Sequence, residues 1–342
     1  MPLPIEHYAL IGDCHTAALV GDDGSIDWLC FPRFDSGACF AALLGGPDQG
    51  RWLLAPSAEV RTVRRRYRTG TLILETEFDT EEGAIRVIDY MPLSDVRWDV
   101  VRIVEGLSGD VGVRMELIVR YDYGSILPWV HRAQETLLIT AGPDSLELRA
   151  TVGVTGKNMK TVAQFRVRAG ERQSFVLNYR PSHLATQSPL DVERTLTATE
   201  RWWSDWSGKC AFEGTWREPV MRSLITLKAL TYKPTGGIVA APTTSLPEQL
   251  GGVRNWDYRY CWLRDATFTL NALLLAGYED EAVAWREWLL RSVAGSPAKL
   301  QILYGVTGVR RLDEYEIPWL PGYQNASPVR VGNAASKQFQ LD

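Results

Sequence analysis

The densest group of residues that could bind a ligand lies between positions 254 and 265, where the sequence reads RNWDYRYCWLRD. In an extended chain, successive side chains point to opposite faces. One face of this segment would then carry four aromatic rings and a guanidinium group, those of Trp256, Tyr258, Tyr260, Trp262 and Arg264. An arginine is costly in a dry core unless it is paired, whereas here it could donate charge-assisted hydrogen bonds to hydroxyl groups while Asp265 accepts them. We expect this face to bind a neutral polar ligand with flat apolar faces.

Simpler interpretations of single residues in this segment stay open. Asp265 stands at the predicted start of a helix, where an N-cap contributes about 1 kcal/mol. Tyr258 and Tyr260 also suit ordinary sheet or core positions. On the opposite face, Arg259 is predicted to pair with Asp257.

The composition indicates a folded chain with many indole rings. With 342 residues, 45% of them apolar, the chain is long enough for two domains and a sizeable core. A net charge of −4 does not provide the excess of positive charge that is typical of nucleic-acid-binding proteins. The 13 tryptophans fit either a large core or a sugar-binding site, in which indole faces stack on the C–H faces of a pyranose. One basic cluster is predicted to lie on a solvated strand edge, namely Arg64, Arg65, Arg66 and Arg68.

The cysteines and the apolar runs bear on the location of the protein. The five cysteines follow no C-x-x-C spacing, which argues against zinc and favours reduced, buried thiols in a cytoplasm. The first residues carry neither a basic leader nor an apolar run, and no stretch reaches the roughly 20 apolar residues of a membrane span. We expect a cytoplasmic protein without cofactor or metal, associated with neither membrane nor nucleic acid; a homo-oligomer stays open.

The first part of the chain, to about residue 187, has the pattern of antiparallel β-structure. Asp23-Gly24 separates two short apolar runs, as in a hairpin. Period-2 alternation runs through residues 72–78 and resumes after the turn at 81–83. Further on, Phe165 and Val167 precede a Gly170 turn, from which Phe175, Leu177 and Tyr179 return. Alternation of this kind predicts sheets with one buried face, and the number of strands predicts a β-sandwich.

The second part of the chain has helical spacing. Helices are predicted over 191–206, 216–232, 265–276 and 279–293, and Gly277 ends the third of them. The last two helices, with their tight connection, would form an αα-hairpin. We therefore predict a multidomain β + α chain: a β-sandwich over 1–187, a helical linker over 188–214, and over 215–342 an incomplete (α/α)6 barrel.

The ligand-binding segment also resembles a known family. Residues 251–266, GGVRNWDYRYCWLRDA, look like the signature of glycoside hydrolase family 15, which holds glucoamylases, bacterial trehalases and related exo-α-glucosidases. The opening runs YALIGDC, DGSIDWLC and PRFDS, at 8–14, 23–30 and 32–36, resemble the N-terminal domain of its bacterial trehalase-like members. The stretches WLPGY at 319–323 and VRVGNAA at 329–335 match as well.

The resemblance implies roles for individual residues. Tyr258, Trp262, Arg264 and Asp265 would line the innermost glucose subsite, together with Trp256, and Arg264 and Asp265 would hold hydroxyls of the sugar whose bond is cut. Arg330 and Asn333 would follow the loop that closes the same pocket. The implied activity is inverting, exo-acting hydrolysis of an α-glucoside such as trehalose or a malto- or isomalto-oligosaccharide, with release of glucose.

The catalytic carboxylates are not expected in this chain. Inversion needs an acid and a base about 6.5–9.5 Å apart, and the resemblance puts both beyond Asp342, the acid in a Trp-Glu context. A barrel of twelve helices does not fit after residue 216, and the run 336–342 has no stop signal. We expect a truncated chain that alone is inactive and poorly soluble. Glu314 and Glu316 are the only internal substitutes for the pair, and Glu248 is expected to orient the motif.

Two other functions fit the same architecture. An inverting glycoside phosphorylase would use phosphate in place of water, which an assay with and without phosphate distinguishes. A non-catalytic sugar-binding remnant would bind glucose or trehalose without cleaving it.

Overall fold

The computed structural model describes residues 2–295 and 299–338 of the chain. These residues divide into two compact units. One comprises residues 2–13, 18–32 and 37–204, and the other comprises 14–17, 33–36, 205–295 and 299–338.

The first unit is built mainly from antiparallel strands. Among the described residues, fifteen strands join in one hydrogen-bonded network: β1 Tyr8–Gly12, β2 Ala17–Gly21, β3 Ser25–Cys30, β4 Ala38–Phe40, β5 Arg51–Pro56, β6 Val60–Tyr67, β7 Leu74–Thr80, β8 Gly83–Tyr90, β9 Trp98–Ile118, β10 Trp129–Ala133, β11 Thr136–Ala141, β12 Asp144–Ala150, β13 Thr155–Lys157, β14 Lys160–Arg168 and β15 Arg172–Pro181.

Strand β9 connects two ladders of this network. It is 21 residues long; its first half pairs with β8 and β15, and its second half pairs with β5 and β14. Both ladders contribute to one apolar core, which includes Trp52, Val104, Met115, Leu146 and Phe175. A large antiparallel sheet of this kind fits the β-sandwich that the alternation predicts.

The predicted turns are present, but one of them does not make a hairpin. β2 pairs with β3 around the Asp23-Gly24 turn, and β7 pairs with β8 around residues 81–82. The turn at Gly170 also forms. However, β14 and β15 on either side of it pair with different halves of β9, because the chain crosses there from one ladder to the other.

Three arginines of the basic cluster, Arg64, Arg65 and Arg66, lie on β6, and Arg68 follows the strand. Among the described strands, β6 pairs only with β7. Carboxylates on β7 neutralise it across the ladder: Arg64 lies 3.3 Å from Glu77, and Arg66 lies 2.9 Å from Glu75. The prediction of a solvated strand edge is confirmed for Arg64 and Arg66, which are exposed. Arg65 and Arg68 are only partly exposed, and Arg65 donates to the carbonyls of His7 and Val20.

In the described part of the chain, four α-helices follow the sheet: α1 Val192–Ser207, α2 Arg217–Ala229, α3 Leu263–Leu275 and α4 Glu279–Ser292. α2 ends earlier than predicted because Thr231–Tyr232 forms strand β16, which pairs with β17 at Gly237–Ile238. The predicted hairpin of α3 and α4 is confirmed, with Gly277 at a φ of 90° after α3. None of the helices in the described ranges has the length and apolarity that a membrane span requires.

Short two-stranded pairs complete the second unit: β18 Thr244–Pro247 with β19 Asn255–Asp257, β20 Cys261–Trp262 with β21 Leu303–Tyr304, and β22 Tyr315–Glu316 with β23 Arg330–Val331. A short 3-10 helix, Ala334–Lys337, follows. Positions 339–342 of the predicted helix-like run lie outside the described residues.

A buried carboxylate holds α4 in this unit. Glu281 lies 2.9 Å from the Lys228 ammonium of α2 and accepts a 2.7 Å hydrogen bond from Trp206 Nε1. The Trp206 ring stacks on Tyr278 at a centroid distance of 4.2 Å. Burial alone would raise the pKa of Glu281, but Lys228 and Trp206 hold it below its ordinary value.

A second buried pair anchors the aromatic segment. Asp257 and Arg259 are fully buried, and Arg259 Nη2 lies 2.7 Å from Asp257 Oδ2. Arg259 also donates to the carbonyl of Ser36 at 2.8 Å. Gly332 N donates to the Asp257 carboxylate at 3.2 Å, and Asn333 Nδ2 donates to the Asp257 carbonyl at 2.9 Å. The predicted pairing of Arg259 with Asp257 is therefore confirmed, and it also ties the segment to residues 329–335.

Substitution Glu281→Gln is expected to destabilise the second unit by about 3 kcal/mol, because it leaves the Lys228 ammonium without its carboxylate. Since the pKa of Glu281 is lowered, this contribution is present above its ordinary value of 4.5 and is lost as the pH falls through the lowered pKa. Urea unfolding at pH 7 and pH 3 measures both effects. Glu287→Gln, at an exposed position on the same helix, is the control. An equal effect of Glu281→Gln at both pH values would contradict the ion-pair explanation.

Substitution Asp257→Asn is expected to loosen the aromatic segment and residues 329–335 together, at a cost of about 3–5 kcal/mol, because it leaves the Arg259 charge buried without its counter-ion. Hydrogen exchange followed by mass spectrometry should show faster exchange in both stretches. Asp313→Asn, at an exposed ion pair with Lys337, should leave exchange there unchanged. If only one of the two stretches responds to Asp257→Asn, Asp257 does not join them.

Candidate sugar-binding site

The candidate segment is not one continuous extended strand. Strand β19 is followed by an irregular stretch at 258–260, the two-residue strand β20, and at once by α3. Backbone hydrogen bonds fix each part: Ala241 N donates to the Tyr258 carbonyl at 2.9 Å, Ala240 N to that of Tyr260 at 3.0 Å, and Leu263 N to that of Ile302 at 3.0 Å. The segment is therefore held along its whole length.

The two predicted faces of the segment are present with one exception. The odd-numbered positions from 255 to 261 are buried, whereas Trp256, Tyr258 and Trp262 are partly exposed and Arg264 is exposed. Tyr260 differs from the prediction, because it is buried against Leu303 and Leu312. The departure from extended geometry turns this ring inward, so the candidate face has three aromatic rings.

Arg264 and Asp265 lie in the first turn of α3. Trp262 is the N-cap residue, so Asp265 is not the N-cap that the simpler interpretation suggests. Their charged groups lie 3.6 Å apart, yet the two side chains stay 50% and 45% exposed. The positive end of the helix dipole favours the Asp265 carboxylate at this position. Both side chains line a pocket of about 250 Å³.

The rings of Tyr258 and Trp262 lie next to each other, with centroids 6.4 Å apart and planes inclined at 38°. Burial raises the pKa of Tyr258, with a smaller contribution from the Glu248 carboxylate, and the charges of Asp265 and Arg264 also act on it. Its hydroxyl therefore stays protonated and able to donate. Trp262 Nε1 is buried and has no hydrogen-bond partner among the described residues, so it is a second, unsatisfied donor beside the Tyr258 ring.

Trp256 lies beside a different cation. The guanidinium of Arg330 sits 4.6 Å from the Trp256 ring centroid, in cation–π geometry. Arg330 also donates to the Val253 carbonyl at 2.8 Å and lies 3.6 Å from Glu314 and 3.7 Å from Glu316. Its contacts with the protein fix the Trp256 ring.

Asn333 is buried, and the protein uses both of its polar atoms. Nδ2 donates to the Asp257 carbonyl at 2.9 Å, and Oδ1 accepts from Ala335 N at 3.0 Å. The preceding Gly332 has a φ of 83°, and a Cβ there would lie 2.0 Å from the Asp313 carbonyl oxygen. Only glycine therefore fits beside Asp257.

The structure thus places Tyr258 beside Trp262 and Arg264 beside Asp265. Arg264 and Asp265 line the pocket on α3, whereas the two rings do not. Trp256 lies with Arg330, and Asn333 lies with Asp257. Glu248 forms an ion pair with Arg254 at 2.9 Å, one residue before the buried Asn255. In the described part of the chain, no group of three or more His, Cys, Asp and Glu side chains is arranged to hold a metal ion.

The sequence analysis missed several residues of the pocket. Phe268 and Thr269 line it together with Asp265. Their spacing of three and four positions from Asp265 is the signal that could have found them, since such residues share a helix face. Leu227 and Leu230, at the end of α2, also line the pocket, and only tertiary packing brings them there.

Two family models match the chain. The model of the trehalase-like N-terminal domain matches residues 1–203, and that of the glycosyl hydrolases family 15 matches residues 214–342.

Curated relatives and a solved structure are similar over nearly the whole chain. A trehalase of Mycolicibacterium smegmatis is 35% identical over 99% of the chain, and one of Thermoplasma volcanium is 31% identical over 99%. The chain spans about half the length of these relatives, 55% in both cases. A bacterial glucoamylase solved in complex with acarbose is similar in fold, with a TM-score of 0.66 at 13% identity over 90% of the chain and 53% of that protein. With both of its parts matched, the chain belongs to glycosyl hydrolases family 15 and carries the trehalase-like N-terminal domain.

Proposed function

We propose that this chain supplies the innermost sugar subsite of an inverting, exo-acting α-glucoside hydrolase that releases glucose, of the trehalase or glucoamylase type. The observation that carries the proposal is the pair Arg264 and Asp265. Their charged groups are 3.6 Å apart but half exposed, and both line the pocket on α3. A guanidinium and a carboxylate left in this way can bind neighbouring hydroxyls of a sugar, one as donor and the other as acceptor.

The aromatic side chains support the choice of a sugar. Tyr258 and Trp262 offer ring faces for the C–H faces of a pyranose, and each has a donor. Trp256, Arg330 and Asn333 belong to the proposed site as well. Their protein contacts suit them to shape its wall, and direct contact of any of them with the sugar stays a prediction.

The relatives support the substrate class. Those named above are called trehalases, and the similar solved structure is a glucoamylase with bound acarbose. We propose trehalose or a malto- or isomalto-oligosaccharide as the substrate of the whole protein. The exposed apolar side chains Phe268, Leu275 and Leu290 on α3 and α4 support the proposal that these helices belong to an (α/α)6 barrel.

Further parts of the proposal concern organisation and location. We propose the domain division 1–187, 188–214 and 215–342, with the middle segment as a helical linker. A cytoplasmic location is supported by the five cysteines, which are buried and form no disulfide in the described structure. Burial raises the pKa of the Cys261 thiol well above its ordinary value, so this thiol is unreactive.

We assign no described carboxylate to the catalytic pair. Glu314 and Glu316 lie within 3.7 Å of Arg330, and Asp257 is buried in its pair with Arg259. The 342-residue chain should therefore bind the sugar without cleaving it. Incubation with trehalose or maltose, with and without phosphate, followed by a glucose assay, tests this. Glucose release in either buffer would show that a carboxylate of this chain acts in catalysis.

Asp265→Asn and Arg264→Gln are each expected to weaken the binding of acarbose or trehalose at least tenfold, because each removes a charge-assisted hydrogen bond worth about 1.5–3 kcal/mol. Titration calorimetry with the purified chain measures the affinity. Asp280→Asn, in the first turn of α4, and Arg286→Gln, at an exposed position of that helix, are the matched controls. If the controls lose as much affinity as the two variants, the pocket on α3 is not the subsite.

Trp262→Phe separates a ligand role from a packing role. It keeps an aromatic face but removes the buried Nε1 donor, which has no partner among the described residues. Affinity for the sugar should fall about fivefold, the equivalent of one neutral hydrogen bond of about 1 kcal/mol. The unliganded chain should be as stable as before or more so, as urea unfolding would show. Unchanged affinity with raised stability would show that Trp262 Nε1 donates no hydrogen bond to the sugar.

A further inference from the structure

A pocket in the first unit is separate from the candidate site and has features of a ligand site. Its volume is about 510 Å³, within the range of small-molecule sites. Its walls come from the end of β9, the start of β10, a residue of β11 and the β13–β14 hairpin. The buried side chains of Leu117, Val119 and Ile139 line it and belong to the core of this unit.

Arg120 lines this pocket and is only 9% exposed. Its guanidinium donates to two backbone carbonyls, those of Val119 at 2.8 Å and Met159 at 3.3 Å. No carboxylate in the described part of the chain lies within 4 Å of it. Burial lowers the pKa of Arg120, and Asp48 offsets this only from a greater distance.

The other buried arginines differ from Arg120 in this respect. Among the described residues three more are buried, and each has a carboxylate: Arg102 with Asp89 at 2.7 Å, Arg180 with Glu147, and Arg259 with Asp257. A buried guanidinium without a counter-ion is costly. An anionic group in the pocket would supply the counter-ion that Arg120 lacks.

A second cation and an exposed indole complete the pocket. Lys157 lines it, is exposed, and forms no ion pair with any described residue. Lys160 differs, because it lies 3.3 Å from Glu116 and 4.0 Å from Asp48. At the edge strand β10, Trp129 lines the pocket and is 86% exposed, an unusual position for so large an apolar ring. A flat face of this kind suits the C–H face of a sugar ring.

From these observations we propose that the pocket binds a phosphorylated sugar, with the phosphate between Arg120 and Lys157 and the sugar ring on Trp129. A neutral sugar would leave the Arg120 charge without a counter-ion, and inorganic phosphate would leave the Trp129 face uncovered. This site is independent of the pocket on α3.

Titration calorimetry with glucose 6-phosphate, glucose and inorganic phosphate tests the proposal; the chain carries Asp265→Asn, which is expected to weaken sugar binding at the pocket on α3. Glucose 6-phosphate should bind at least tenfold more tightly than either of the others. Equal affinity for glucose would overturn the role of the cations, and equal affinity for inorganic phosphate would overturn the role of the ring. Absence of measurable binding of glucose 6-phosphate at 10 mM, roughly 100-fold above the affinity expected of a functional metabolite site, would overturn the site as a whole.

Variants at exposed positions avoid any effect on folding. Trp129→Ala and Lys157→Gln should each weaken the binding of glucose 6-phosphate at least fivefold. Trp216→Ala removes an indole that is 70% exposed and does not line the pocket, and it should leave the affinity unchanged. Asp265→Asn should also leave it unchanged, which distinguishes this site from the pocket on α3. Binding that survives both Trp129→Ala and Lys157→Gln, or that falls with Asp265→Asn, would contradict the proposal.

Discussion

The buried ion pair between Asp257 and Arg259 sets the geometry of the second unit around the candidate site. Removing two charges from water costs several kcal/mol per ion, and only close pairing with further hydrogen bonds offsets that cost. Here the two side chains meet at 2.7 Å. Arg259 also donates to the Ser36 carbonyl, and Gly332 N donates to the Asp257 carboxylate. Asn333 donates to the backbone carbonyl of Asp257. The pair therefore forms only when three stretches distant in sequence are in place. For this reason it specifies one arrangement of the segment that carries the rings and charges.

The two sides of that segment have different tasks. On the buried side, Asn255 donates to the carbonyls of Ala326 and Pro328, and Asp257 and Arg259 neutralise each other. On the other side, charged groups are left half exposed at the start of a helix. A binding site must keep its polar groups available and also hold them in position. Before the helix, the segment meets both requirements by alternation, because Trp256, Tyr258 and Trp262 each follow a buried residue.

Much of this arrangement could be predicted from the sequence, since its causes are local. Period-2 alternation and turn residues located the strands, and helical spacing with Gly277 located α3 and α4 to within two residues. The pairing of Asp257 with Arg259 was also predictable, because they are two positions apart. The inward rotation of Tyr260 was not, because it depends on packing against Leu303 and Leu312. The crossing of the chain between β14 and β15 depends in the same way on β9, whose paired residues lie 44 to 81 positions earlier in the sequence.

One rule about buried charge separates structural residues from candidate ligand residues in both units. Arg102, Arg180 and Arg259 are buried with a carboxylate, and so their role in the structure is complete without any ligand. Arg264 has a carboxylate at 3.6 Å but remains half exposed, where water or sugar hydroxyls can complete its hydrogen bonds. Arg120 is buried with backbone carbonyls alone, and carbonyl dipoles solvate a cation without neutralising it. The extent to which carboxylates neutralise each guanidinium charge therefore predicts its ligand. The paired arginines need no ligand, Arg264 is predicted to bind a neutral polyol, and Arg120 is predicted to bind an anion.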